Sequence, residues 1–191
     1  LEVPFITCNE MVEYNAGKNK ALWELAVDYE MARGNISGPE VFEKMRNIIH
    51  VMGNAIQLGL KGTHYEDRIL GSQSLQFKEN WEANKLIGGE TNNRIIMYVS
   101  AMMEVKSSMG VIVAAPTAGS CGALPGALFG TAHSMQLHED ELVKAMLSAG
   151  LIGVFMAAHA TFAAEVGGCM AETGSGGGMA AAAIVEMKGG T

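Results

Sequence analysis

Two thiols stand at glycine-flanked junctions of this chain, in Ser120-Cys121-Gly122 and Gly168-Cys169-Met170. Each falls where a helix should begin or end. Free N–H groups and the positive end of the helix dipole stabilise a thiolate at such a border. Glycine beside the sulfur lets the backbone approach a bulky group and donate hydrogen bonds to it. A metal or iron–sulfur ligand needs that combination. Two buried, inert core cysteines account for the same residues, since the two lie far apart and no Cys-x-x-Cys is present. Cys8, in a capping segment near the start, carries no comparable context.

The residues around these thiols offer further chemistry. Pro116-Thr117-Ala118-Gly119-Ser120 presents hydroxyls and exposed N–H groups at a helix start, which suits a carboxylate or phosphate. It lacks the Gly-Lys-Ser/Thr ending of a nucleotide-binding loop, and a plain connecting turn explains it equally well. The stretch from Gly167 to Gly178 is so rich in glycine that it reads as a second flexible loop or as a close backbone approach. Within it, Glu172 is a candidate general base, a cap partner or a solvated carboxylate, and Ser175 a candidate substrate contact. His159 lies in an otherwise apolar helix ten residues before Cys169. It is a candidate catalytic or ligating side chain, with a hydrogen-bonded core histidine as the alternative. His50, His64, His133 and His138 are read as structural.

The elements that must position these groups are helical. Thr7 and Glu10 have capping-box spacing, and a helix is expected from there to about Arg33, stopped by Gly34-Asn35. Ser37 to Glu40 repeats the box. The helix after it carries Val41, Met45, Ile48, Ile49, Met52 and Ile56 on one face and closes at Gly59 and Gly62. Residues 62–93 are polar and glycine-broken, an excursion with one short helix around 76–84. Asn92 or Asn93 caps a helix to about Gly110, with Ile96, Val99, Met103 and Val105 expected inside. Val111 to Ala115 either extends it or forms a short strand. Further helices are expected from Leu124 to Met135, from Glu139 to Ala164 with three acids in its first turn, and from Met179 to Met187. No alternating strand pattern is evident, so the fold class is all-α, a single domain over residues 1–191 that reads as C-terminally incomplete.

Totals narrow the function classes. The 191 residues carry a net charge of −7 and no basic cluster, which argues against nucleic acid and anionic membrane surfaces as partners. Three cysteines at irregular spacing make no disulfide framework and favour a reducing, cytoplasmic setting. With 14 Met and 24 Gly, the core is expected to pack small residues and thioethers closely. Residues 107–138 and 145–164 lack Asp, Glu, Lys and Arg, but proline, glycine and histidine interrupt them and no aromatic belt flanks them. They are read as buried helices of a soluble protein.

Ala115 to Phe129, APTAGSCGALPGALF, together with Glu165 to Met187, EVGGCMAETGSGGGMAAAAIVEM, resembles the alpha chain or domain of iron–sulfur-dependent L-serine dehydratase. The resemblance implies an all-α catalytic domain and a [4Fe–4S] cluster held by three cysteines, its fourth iron open to substrate. Cys121 and Cys169 match two ligand positions. The third falls near Gly176 to Gly178, where this chain has no thiol. His159 to Ala164 also departs from the family's usual run before the second cysteine. The implied reaction converts L-serine to pyruvate and ammonia, with the iron as a Lewis acid for the departing hydroxide. Thr117, Gly119, Ser120 and Ser175 are then expected at the substrate carboxylate, and His159 and Glu172 among the catalytic groups. A beta chain or domain is the implied partner, and the Ala-rich helices are compatible with a homodimer. Two other readings remain: a related lyase acting on cysteine or threonine, and a cluster-free scaffold subunit.

Overall fold

The computed structural model describes residues 2–69 and 71–190. Among them are nine helices and no strand. They are α1 (Cys8–Asn15), α2 (Leu22–Gly34), α3 (Gly38–Leu60), α4 (Ser74–Glu82), α5 (Glu90–Ser107), α6 (Ala123–Met135), α7 (Glu139–His159), α8 (Ala164–Gly167) and α9 (Cys169–Met187). The all-α expectation therefore holds.

The helices begin where their caps allow. Thr7 accepts from the Glu10 N–H while the Glu10 carboxylate takes the Thr7 N–H, the reciprocal pair anticipated at α1. Ser37 caps α3 through the Glu40 N–H, with Pro39 in the first turn. The expected single helix from Thr7 to Arg33 is two. Gly17 and Asn19 take positive φ between them, and the Asn15 side chain closes the turn by bonding both the N–H and the carbonyl of Lys20. Residues 111–114 form neither helix nor strand, and Ala115 lies in a bend.

Burial follows the helical rhythm of α3, where Val41, Ile49, Met52, Ala55, Ile56 and Leu60 turn inward. On α5 the inner face is rotated from the expected one. Met97, Tyr98, Ala101, Met102 and Val105 are buried, whereas Ile96 is half exposed and Val99 and Met103 are partly covered. The reason lies on α6. Gly122, Gly126 and Gly130 recur every fourth residue, so they form one ridge just before and along that helix. A Cβ on Gly126 would stand 2.9 Å from the Val99 nitrogen, and one on Gly130 2.9 Å from the Ile95 Cα. The α5 backbone thus lies directly on the glycine ridge, and side chains that would otherwise fill the gap are moved aside. Gly59 of α3 meets α5 in the same way, where a Cβ would fall 2.2 Å from the Ala101 carbonyl oxygen.

The final helices correct two boundaries. α7 ends at His159 rather than Ala164, because Ala160 leaves the helical region at φ −144°, ψ −159°. It is also the one helix among the described residues long and apolar enough to cross a membrane. Here 56% of its most apolar window is covered by the fold itself, against α2, α3 and α9. The glycine-rich run 174–178 is not a loop. It lies inside α9, although each glycine costs about 1 kcal/mol relative to alanine in a helix interior. Packing overrides that propensity: Met179, Ala180 and Ala183 bury against the core, and Ser148 of α7 donates to Glu186 at 2.8 Å.

Two polar clusters tie down the rest. Arg46 of α3 bridges Glu139 and Asp140 in the first turn of α7. Glu104 of α5 accepts from the Ser72 hydroxyl and the N–H groups of Gln73 and Ser74, fastening the excursion that follows α3. Burial works against the Glu104 charge, but the Ser74 and Gln73 N–H groups and the Ser72 hydroxyl outweigh it, so its pKa lies below the ordinary carboxylate value.

Gly126→Ala is expected to destabilise the fold by about 1–3 kcal/mol through overpacking against α5. Gly174→Ala and Gly177→Ala, which would meet nothing within 4 Å, should each be stabilising by up to about 1 kcal/mol. Chemical denaturation of the three variants checks the ranking. The Glu104 clamp should be intact above the ordinary carboxylate pKa and fade as pH falls through the lowered one. Hydrogen exchange at the Gln73 and Ser74 amides should accelerate in that acid window, and Glu104→Gln should remove the pH dependence.

Candidate functional site

The two motif segments meet where the loop before α6 packs against the first turns of α9. Ala115-Pro116 is a cis peptide, and the chain turns from it through Thr117 to Gly122, the residue before α6. The Thr117 hydroxyl is fixed locally. It takes the Ser120 N–H at 3.3 Å and shares a hydrogen bond of 3.1 Å with the Ser120 hydroxyl. Across the gap, Thr117 donates to Oε1 of Glu172 at 2.5 Å.

Two glycines permit this contact. A Cβ on Gly119 would stand 2.5 Å and 2.9 Å from the two Glu172 oxygens, so a larger residue there would have to displace the Glu172 side chain. Gly176, one turn after Glu172, lies against the loop. Its Cβ position is 3.4 Å from Ala123, 3.7 Å from Pro116 and 3.9 Å from Ser120. The glycine-rich run thus does supply a close backbone approach, made by a helix. Glu172 is half-buried, accepts from Thr117, and has no ion-pair partner among the described residues.

The two thiols lie in the chain segments that make this contact and differ in setting. Cys121 is 0% exposed, with its sulfur 3.9 Å from the Met103 thioether on α5. Burial pushes its thiol pKa up, and the Lys106 charge opposes this only in part. The thiolate expected from a helix border is therefore not favoured at Cys121 in the protein alone. Cys169 is the first residue of α9, follows Gly168 at φ 73°, and is exposed.

The sequence candidates separate as follows. Thr117, Gly119, Ser120 and Glu172 come together. Ser175 is half-buried on α9 beside Gly176, with no hydrogen bond of its own among the described residues. His159 is not enclosed in an apolar helix. It is the exposed last residue of α7, and its Nε2 lies 3.1 Å from the Ile6 carbonyl oxygen, which ties it to the N-terminal segment. Of the histidines read as structural, His133 has its Nδ1 2.9 Å from the Tyr98 hydroxyl, and burial lowers its pKa. Met103 was not among the candidates, and no spacing in the sequence marks it. The glycine ridge beneath Cys121 was legible in principle from its four-residue period.

Among the described residues, no group of three or more His, Cys, Asp or Glu side chains is placed to hold a metal ion. The chain supplies two thiols here, one of them closed in against a methionine, and no third. That set does not by itself make the three-thiolate cage the resemblance implies.

Fold and site thus define an all-helical domain in which Thr117, Gly119, Ser120 and Glu172 meet where a glycine loop packs on a helix start. The family model of the serine dehydratase alpha chain matches residues 17–191, and the chain belongs to that family. It is 32% identical over 187 residues to the probable L-serine dehydratase alpha chain of Bacillus subtilis, covering 98% of this chain and 62% of that protein. It is 31% identical over 186 residues to the L-serine dehydratase alpha chain of Peptoniphilus asaccharolyticus, covering 97% and 64%. A shorter match of 98 residues, at 34% identity, links 51% of this chain to 22% of L-serine dehydratase TdcG of Escherichia coli. The chain spans just under two thirds of the length of the two alpha chains it matches nearly end to end.

Thiol-reactive labelling of the native protein should modify Cys8 and Cys169 quickly and Cys121 only on unfolding. Mass spectrometry of the labelled peptides reads this directly, and rapid native labelling of Cys121 would contradict the enclosed setting described for it.

Proposed function

We propose that this chain is the alpha part of an L-serine dehydratase, a lyase that converts L-serine to pyruvate and ammonia with a beta chain or domain as its partner. The observation that carries the reading is the contact of Thr117 and Gly119 with Glu172, made between the two segments whose sequence resembles the family. The alpha-chain relatives bear L-serine dehydratase in their names, and their similarity runs through nearly the whole of this chain.

Loss of water from serine requires removal of the α-proton and departure of a poor leaving group. On this chain, Glu172 is the carboxylate held where the two motif segments meet, and the Thr117 hydroxyl fixes its orientation. The fixed Thr117–Ser120 pair and the buried start of α6 keep the loop rigid on one side. Exposed Cys169 and Met170 leave the other side open for a partner or substrate to approach. His159, turned to the N-terminal segment, has no role in this scheme.

An iron–sulfur cluster, if bound, would supply Lewis acidity at the substrate hydroxyl. Cys121 and Cys169 would hold two of its corners. The remaining ligation would have to come from beyond this donor set, and Cys121 would have to turn away from Met103. A cytoplasmic setting and the use of the product in amino-acid catabolism or gluconeogenesis belong to the same proposal.

The test is anaerobic assembly of this chain with its beta chain, then a 2-oxo-acid assay that reads pyruvate from L-serine and L-cysteine and 2-oxobutanoate from L-threonine. Serine turnover is expected to dominate. Cys121→Ser and Cys169→Ser should each reduce bound iron and its charge-transfer absorption as well as turnover. Full iron retention in either variant would remove that cysteine from the ligand set. A complex that turns over only cysteine or threonine would move the chain to a different lyase, and one that binds no iron and turns over nothing would make it a scaffold.

A further inference from the structure

Glu172 already occupies the loop that was expected to receive the substrate carboxylate. The Thr117 hydroxyl donates to Glu172, and the space over Gly119 is filled by both carboxylate oxygens. A second carboxylate on the same donors would face this one at close range, without an intervening cation among the described residues, and the two would repel. The loop therefore cannot hold substrate carboxylate in this arrangement. It holds the protein's own.

No Lys, Arg or His among the described residues pairs with this carboxylate, which is half-buried and so remains reachable by a ligand. Oε1 is taken by Thr117, while Oε2 accepts no hydrogen bond among the described residues, and Glu172 belongs to none of their ion pairs. The dipole of α9 favours a negative group near its first turn but satisfies no lone pair of it. An α-amino acid carries the missing element, an ammonium group with three donors.

We infer that Glu172, oriented by Thr117 and admitted by Gly119, binds the ammonium group of the amino-acid substrate. The inference rests on the dehydratase reading above and deepens it, since it assigns the charge that the site recognises. In this arrangement Thr117 and Gly119 are positioning residues, and the substrate carboxylate lies away from the 116–122 loop. The ammonium also brings the α-carbon beside the site with a fixed orientation, which a base alone would not do.

The experiment uses the complete enzyme, this chain with its beta chain, and compares two ligands. L-Serine carries the ammonium, and 3-hydroxypropanoate has the same carboxylate and hydroxyl without it. Glu172→Gln keeps the side chain's size and removes its charge. It should raise the KM for serine by roughly 10- to 100-fold while changing the inhibition constant of 3-hydroxypropanoate by less than about threefold. Thr117→Val, which removes the donor at constant volume, should shift the same ratio in the same direction and to a smaller degree. Far-UV circular dichroism confirms that both variants are folded. An unchanged serine KM with reduced kcat overturns the inference, because Glu172 then acts on the transition state alone. Equal weakening of both ligands overturns it as well, because the residue then shapes the site without reading charge. In both of those outcomes the dehydratase reading stands. If the unmodified complex makes no pyruvate from serine, that reading fails and takes the ammonium site with it.

Discussion

The structure hangs on the absence of side chains along one ridge. Gly122, Gly126 and Gly130 let α6 lie against the backbone of α5, and Gly59 does the same for α3. Close contact of this kind multiplies dispersion contacts between main chains and leaves no slack for relative movement. Nearly all of α6 is buried as a result, from Leu124 through Ala132. The loop that carries Thr117, Gly119 and Cys121 runs directly into this closely packed helix. Its functional groups inherit their positions from a packing constraint formed by residues with no chemistry of their own.

The same ridge decides the state of Cys121. A helix border favours a thiolate, while enclosure in the core opposes it. Gly122 brings Met103 of α5 within contact of the loop, and the Met103 thioether covers the Cys121 sulfur. Burial wins, and the thiol pKa rises. Cys169 has a similar helical border without the enclosure. The two cysteines look alike as Gly-flanked residues in sequence, and only the partner helix makes them different.

That contrast measures what could be read beforehand. Capping pairs announced α1 and α3 because their signal is local: a side chain and a backbone N–H three residues apart. The loop from Pro116 to Ser120 and Glu172 were visible as candidate residue types, and the pairing of Glu172 with Thr117 and Gly119 was not, since it joins positions 55 residues apart. The reading of 174–178 as a loop failed for a related reason. Glycine propensity is a property of an isolated helix, and α9 is not isolated. Its neighbours α6 and α7 bury one side of it, and Gly176 is needed where the loop comes close. His159 misled in the opposite sense. Its apolar sequence neighbours implied enclosure, but α7 ends at that residue and exposes it.

The glycines of α9 also separate two uses of one residue type. Gly176 is fixed by its contact with Ala123, Pro116 and Ser120, and a Cβ at Gly178 would press on the Met156 methyl. Gly174 and Gly177 meet nothing within 4 Å. The first pair is explained by the packing of this chain. The second pair weakens the helix with no compensating contact inside it, on the turn that follows Glu172 and precedes the buried Met179. A helix that begins with an exposed thiol, presents a held carboxylate one turn later and then loosens before entering the core has its stability concentrated at the far end. The loop contact through Thr117 and Gly176 is then what secures the N-terminal end of α9. Losing the Glu172–Thr117 bond would therefore cost order in α9 as well as charge at the site, so thermodynamic and kinetic effects of that pair must be separated by comparing ligands rather than by stability alone.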